Sequence, residues 1–168
     1  MTLTKKSILY AVCFFLIGSC SKYEFDTETS YSTLESFYQA ELACSLENEI
    51  EFLSSLGDEY YAITGQISEV QGLEVLTLTE PGVATKELKI TCRDPQGFLA
   101  LVGRKIAIRG FPDDLLGINY TNGSGTWNAY TGYAYIFRNE SGKINLAWCK
   151  VAMNGSGSSN FSSLAYTF

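Results

Sequence analysis

The spacing of apolar side chains changes twice along the chain. Ile8 to Ile17 is one apolar run, interrupted only by Tyr10 and preceded by Lys5 and Lys6. At about 1.5 Å per residue, a helix of that length covers roughly half of a bilayer core of about 30 Å, too little for a span. From Leu34 the apolar step is three or four: Leu34, Tyr38, Leu42, Leu46, Ile50 and Leu53 form one stripe. Ser32-Thr33-Leu34-Glu35 has the form of a capping box, and Gly57 supplies a left-handed stop. This spacing predicts an amphipathic helix over 32–57, with Glu35, Glu41, Glu47, Glu49 and Glu51 on the remainder.

From Tyr60 the step becomes two. Strands are predicted over 60–70, 73–80, 86–93 and 106–110, with turns at Gln71-Gly72 and Pro81-Gly82. In the third of these Leu88, Ile90 and Cys92 share one face, and Glu87, Lys89, Thr91 and Arg93 the other. Phe98–Val102 reads as one or two helical turns, and 112–131 as a long irregular loop. A hairpin is predicted from 132–138 and 143–151 around Asn139-Glu140-Ser141-Gly142. In its second arm Ile144, Leu146 and Trp148 compete with Ala147, Cys149 and Val151 for the inner face. Either both faces are covered or a bulge intervenes. Residues 154–168, rich in Gly and Ser, are expected to be a flexible tail.

The first apolar run ends in Ile17-Gly18-Ser19-Cys20. A short positive start, a short apolar run and small residues before a cysteine fit a secretory leader. The four residues resemble a bacterial lipobox. That resemblance implies a leader over 1–19, acyl chains on Cys20 and anchoring to a membrane. Ser21 after the cysteine implies sorting to the outer membrane of a bacterial cell envelope. Residues 20–31 are polar and acidic and read as a tether from that anchor. Removal of the leader leaves 10 basic and 18 acidic residues, a net charge of −8.

Charge and composition narrow the chemistry. The 168 residues include no histidine, which excludes Ser-His and Cys-His pairs and His-containing metal sites. Tyr23–Thr85 carries 13 carboxylates and no Lys or Arg, whereas Lys86–Phe168 carries nine basic and five acidic residues. The acidic helix is expected to lie against the basic part of the barrel and offset its charge. Neither Asp58-Glu59 nor Asp113-Asp114 has the spacing of an acid–base pair or a calcium loop. No cofactor or metal is expected, and a non-enzymatic protein is. In an oxidising compartment Cys44, Cys92 and Cys149 allow three pairings, or none if all three are buried thiols.

Ile63-Thr64-Gly65-Gln66-Ile67, Ile90-Thr91-Cys92, Gly103-Arg104-Lys105-Ile106-Ala107-Ile108-Arg109-Gly110 and Leu146-Ala147-Trp148-Cys149-Lys150-Val151 occur in that order. They resemble the tRNA-anticodon-like OB family, which includes many small bacterial lipoproteins. The resemblance covers 60–151. It implies a small OB-fold-like barrel of five to six strands over 58–153, which with the helix predicted over 32–57 makes a mainly β chain with one N-terminal helix. It also implies a disulfide between Cys92 and Cys149. The long 112–131 segment and the extra hairpin depart from the family pattern.

Two binding surfaces are candidates. Tyr120, Trp127 and Tyr130 lie among Asn and Gly in 112–131, and in an OB fold such a loop borders the binding face. They suit a glycan, with packing of the loop onto the barrel as the plain alternative. Tyr133, Tyr135 and Phe137 alternate and read as core. Lys89, Arg93, Lys105 and Arg109 outline a basic face of the kind that binds single-stranded nucleic acid, which the net charge opposes. The resulting expectation is a lipid-anchored docking module for another envelope protein, with glycan binding as the alternative. In cells, the mature protein is expected to begin at Cys20 with acyl mass and to sediment with membranes, and Cys20→Ala is expected to release it. A mature N-terminus elsewhere contradicts the lipobox reading.

Overall fold

The computed structural model describes residues 46–54, 58–139, 141–155 and 158–168. Ten strands lie among them: β1 Glu49–Leu53, β2 Glu59–Ala62, β3 Thr64–Val70, β4 Leu73–Thr79 and β5 Glu87–Cys92 are followed by β6 Arg104–Ile108, β7 Leu116–Asn122, β8 Gly125–Arg138, β9 Ile144–Gly155 and β10 Ser158–Thr167. One 3-10 turn, Phe98–Leu101, separates β5 from β6. The predicted leader, Cys20, the predicted tether and the first part of the predicted helix lie outside the described residues.

All pairings are antiparallel, in the order β2-β1-β10-β9-β8-β7-β5-β4-β3, with β6 paired to β8 beside this path. β2 and β3 end the path on opposite sides, yet only Ile63 separates them in the chain. They are two halves of one bent strand, the first paired to β1 and the second to β4. The sheet therefore curls into a nearly closed barrel. The interior fixes its width: Phe52 of β1 reaches across to Tyr120 of β7 and Trp127 of β8, with ring centroids at 4.3 and 5.1 Å.

Local chemistry explains the regular parts. Gln71 and Gly72 take φ of 54° and 78°, the left-handed pair that a two-residue hairpin needs between β3 and β4. Leu88, Ile90 and Cys92 of β5 face the core as their alternation predicts. In β9, Leu146 and Trp148 face inward, Lys150 takes φ of 51°, and Val151 and Met153 then face inward. The bulge thus answers the conflict between the two apolar registers. The β9–β10 ladder records the same bulge: Ser162 pairs with Val151 and Leu164 with Trp148, so Cys149 and Lys150 together oppose Ser163.

Several expectations are corrected. The barrel is larger than five to six strands, and Glu49–Leu53 is strand, not the end of a helix. Ile50 and Phe52 are buried while Glu49 and Glu51 are not, a period of two that pairing with β10 and β2 selects. The barrel is not confined to 58–153. The tail predicted over 154–168 is also corrected, because β10 lies between β1 and β9. Its serines are structural: Ser162 Oγ accepts from Trp148 Nε1 at 3.0 Å, and Ser163 Oγ accepts from the Lys150 amide at 3.1 Å. These bonds satisfy a buried indole and the backbone freed by the bulge. The 112–131 segment is no irregular loop but mostly the β7–β8 hairpin, turning at Asn122–Gly125.

Close backbone approach sets one further constraint. A Cβ on Gly155 would lie 2.1 Å from the Thr126 carbonyl oxygen and 2.8 Å from the Trp127 Cα, whereas Gly123 has open space. Gly155→Ala is expected to lower the urea midpoint by an amount worth about 2 kcal/mol or more, with Gly123→Ala near neutral. Equal effects of the two substitutions contradict the described β8–β9 contact.

Candidate functional site

The Glu59 cluster closes one end of the barrel. Glu59 opens β2, Lys86 precedes β5, Glu80 follows β4, and Tyr120 and Asn122 end β7. Antiparallel pairing brings these ends together. Tyr61 donates to the Tyr120 oxygen at 3.1 Å, and Tyr120 donates to Glu59 Oε2 at 2.8 Å. Asn122 Nδ2 donates to Glu59 Oε1 at 2.6 Å. The Lys86 ammonium stands 3.1 Å from Glu59 Oε2 and 3.2 Å from Glu80 Oε2, and 4.6 Å from the Tyr61 ring centroid. The buried Glu80 Oε2 is held by its ion pair with Lys86.

Titration follows from these contacts. Burial alone would push the Glu59 carboxyl up, but bonds from Tyr120, Lys86 and Asn122 outweigh it and hold the group below its ordinary value. Burial pushes Tyr61 up to about 12, and burial with its two hydrogen-bonded neighbours pushes Tyr120 further up. For Lys86, burial favours the neutral form, yet Glu59 and Glu80 raise the ammonium above its usual value. Both tyrosines therefore stay protonated donors near neutrality, and Glu59 stays an anion. Every group is engaged by another, which suits bracing more than proton transfer.

The opposite end is plugged differently. Glu74 Oε2 accepts from the Phe98 amide at 2.8 Å and anchors the 3-10 turn. Gly97 takes φ of 75° there, and a Cβ would overlap the Glu74 carboxylate at 2.2 Å. Phe98 enters the barrel and meets Phe168 edge-on at 5.8 Å. Beside it, Asp114 Oδ2 accepts from the Arg109 and Phe111 amides at 2.7 and 3.2 Å, while Arg93 donates to the Asp114 carbonyl at 2.8 Å. Asp114 is therefore a loop brace.

The predicted aromatic site is not assembled. Trp127 and Tyr120 are 1% and 0% exposed in the core, so neither can meet a ligand at the surface. Tyr130 alone is accessible, on the outer face of β8. Tyr133 is exposed, and Tyr135 and Phe137 are buried apart from the main core. The four basic residues do not converge: Lys89 pairs with Glu87 on β5, Arg93 and Arg109 flank Asp114, and Lys105 lies over Tyr133 from β6. The Cys92–Cys149 bridge is also corrected, since Cys92 is a free buried thiol and Cys149 is disulfide-bonded. Among the described residues no cluster of acids or cysteines is placed to hold a metal.

What the sequence did not disclose is a polar face outside the barrel. Register aligns Gln66, Thr77, Lys89, Asn119, Asn128 and Asn154 in one row across β3, β4, β5, β7, β8 and β9. The rows on either side, Leu78-Leu88-Tyr120-Trp127 and Leu76-Ile90-Ile118, are core, so this row faces outward. Asn119 Nδ2 donates to Asn128 Oδ1, and Thr121 and Thr126 hydroxyls meet at 3.1 Å in the next outward row. Tyr130 stands two residues from Asn128 on the same face. No single segment carries enough of this pattern to announce it.

Comparison with known proteins gives no family model, curated protein or solved structure that matches the chain. A test of the Glu59 cluster follows from its titration. The depressed carboxyl stabilises the fold above its unfolded-state value, near 4.5, and that contribution is lost as pH falls through the lower folded-state value. Glu59→Gln is expected to be less stable than wild type in urea at pH 7, by about 1–3 kcal/mol, with the gap closing at pH 3. A gap that persists or widens at pH 3 contradicts this assignment.

Proposed function

We propose that the chain is a lipid-anchored, non-enzymatic binding module of a bacterial cell envelope, sorted to the outer membrane and docking onto another envelope component. The Lys5-Lys6 start, the short apolar run and Ile17-Gly18-Ser19-Cys20 support the anchor. The lack of histidine and the structural engagement of Glu59, Glu74 and Asp114 support a role without catalysis. The three-strand meander β3-β4-β5, followed by the 3-10 turn and β6, supports reading part of the barrel as OB-like. Strands β1 and β10 would be additions to that unit.

The observation that carries the binding role is the outward row of amides and hydroxyls. Phe52, Tyr120, Trp127 and Trp148, large side chains at 0–1% exposure, occupy the interior. Contact then falls to the outside, where Asn119, Asn128 and Asn154 offer paired donors and acceptors on a sheet that cannot collapse. The same row favours a second reading, a glycan, because neutral amides match sugar hydroxyls and Tyr130 offers one exposed ring. Nucleic acid gains no support, since the basic residues are dispersed.

A photo-crosslinker at Asn128 in intact cells is expected to yield a specific adduct, and one at exposed Leu99 is not. A protein adduct supports docking. Retention of the purified chain on a glycan panel, lost in Asn128→Ala and in Tyr130→Ala, supports the glycan. Neither an adduct nor retention contradicts the assignment of this face.

A further inference from the structure

We infer that Cys149 is bridged to Cys44, and that this bond pins the preceding segment, 32–44, over the outer face of β8, β9 and β10. Cys149 is disulfide-bonded, Cys92 is free, and no other cysteine lies among the described residues. The partner is therefore Cys13, Cys20 or Cys44. The lipoprotein reading removes the first two, and the inference rests on that reading for this step alone.

The surface around Cys149 points the same way. Tyr135, Phe137 and Ala147 are 1%, 4% and 1% exposed, yet they form a cluster separate from the core. Their neighbours Ala134, Ile136, Leu146 and Trp148 fill the barrel, so this second cluster faces outward. Cys149 is two residues beyond Ala147, on the same face. An outward apolar patch buried this deeply has a cover. The chain enters on this face, because Leu46 and Glu47 line a shallow groove with Phe137, Ala147 and Ala165.

Reach is sufficient. Glu49 pairs with Ala165, which pairs with Ala147. From Glu49 to Cys149 is two strands across and two residues along, roughly 12 Å at about 4.8 Å per strand and 3.4 Å per residue. The five residues from Cys44 to Glu49 span up to about 17 Å. The segment carries Leu34, Tyr38 and Leu42 in its sequence, apolar side chains of the kind such a patch accepts. Its formation removes two protons and two electrons from the thiols. A disulfide of the oxidising compartment takes them and leaves as two thiols. The bond would also set which side of the barrel is nearest the lipid-bearing end.

Detergent-extracted full chain, alkylated without reduction and digested, is expected to give a Cys44–Cys149 linked peptide and a Cys92 peptide that is not cross-linked. Cys149 joined to Cys20, Cys13 or another chain, or found alkylated, overturns the pairing. Loss of acyl mass at Cys20 with the Cys44–Cys149 peptide intact sinks only the anchor reading. In the same protein, tyrosine nitration is expected at Tyr133 and not at Tyr135. In Cys44→Ser/Cys149→Ser, with the β-sheet circular dichroism unchanged, nitration of Tyr135 is expected to rise severalfold. Equal protection of Tyr135 in both proteins overturns the pinning role.

Discussion

Closure of the sheet through the bent strand at Ile63 is the constraint on which the rest depends. β2 and β3 must serve two neighbours at once, β1 on one side and β4 on the other. The Ile63 amide is held by the Asn48 carbonyl at 3.0 Å, so the bend keeps a hydrogen bond on the β1 side. Once the ends meet, Phe52, Tyr120 and Trp127 fill the interior from three separate strands. Without closure these rings would face solvent, and Tyr61, Tyr120 and Glu59 would not come within bonding distance.

Closure also gives the uneven charge of the chain a local meaning. Lys86, the first base after the long acidic stretch, lies between Glu59 and Glu80, so the junction of the two charge blocks is held at one barrel end. The carboxylates there are not a solvated pair of adjacent acids. Asp58 is exposed while Glu59 turns inward to tyrosine and lysine. A network of this kind is costly to leave half satisfied, which argues for a fixed brace.

The parts legible in the sequence were those governed by local rules. Gln71-Gly72 needs only left-handed backbone, and β5 needs only strict alternation. The parts that were not legible depend on distant partners. Leu46, Ile50 and Leu53 fit a helical step, while Ile50 and Phe52 also fit a strand, and only the ladders to β2 and β10 decide between them. Ser162 and Ser163 look like linker residues until Trp148 and the Lys150 bulge need acceptors. Ile118-Tyr120 and Trp127-Ala129 did carry a period of two around Asn122-Gly123-Ser124-Gly125, a hairpin signal masked by the glycines and asparagines between them. The outward amide row could not be read at all, since it exists only in cross-strand register.

The strands flanking the predicted barrel, β1 and β10, belong to one nearly closed body with the rest of the sheet. Native-state hydrogen exchange on the whole chain tests it directly. Amides of Ile50 and Phe52 in β1 and Leu164 in β10 are expected to exchange as slowly as Ile90 in β5, all through global unfolding. Early exchange of β1 and β10 as a separate unit, with β3–β9 still protected, would contradict it.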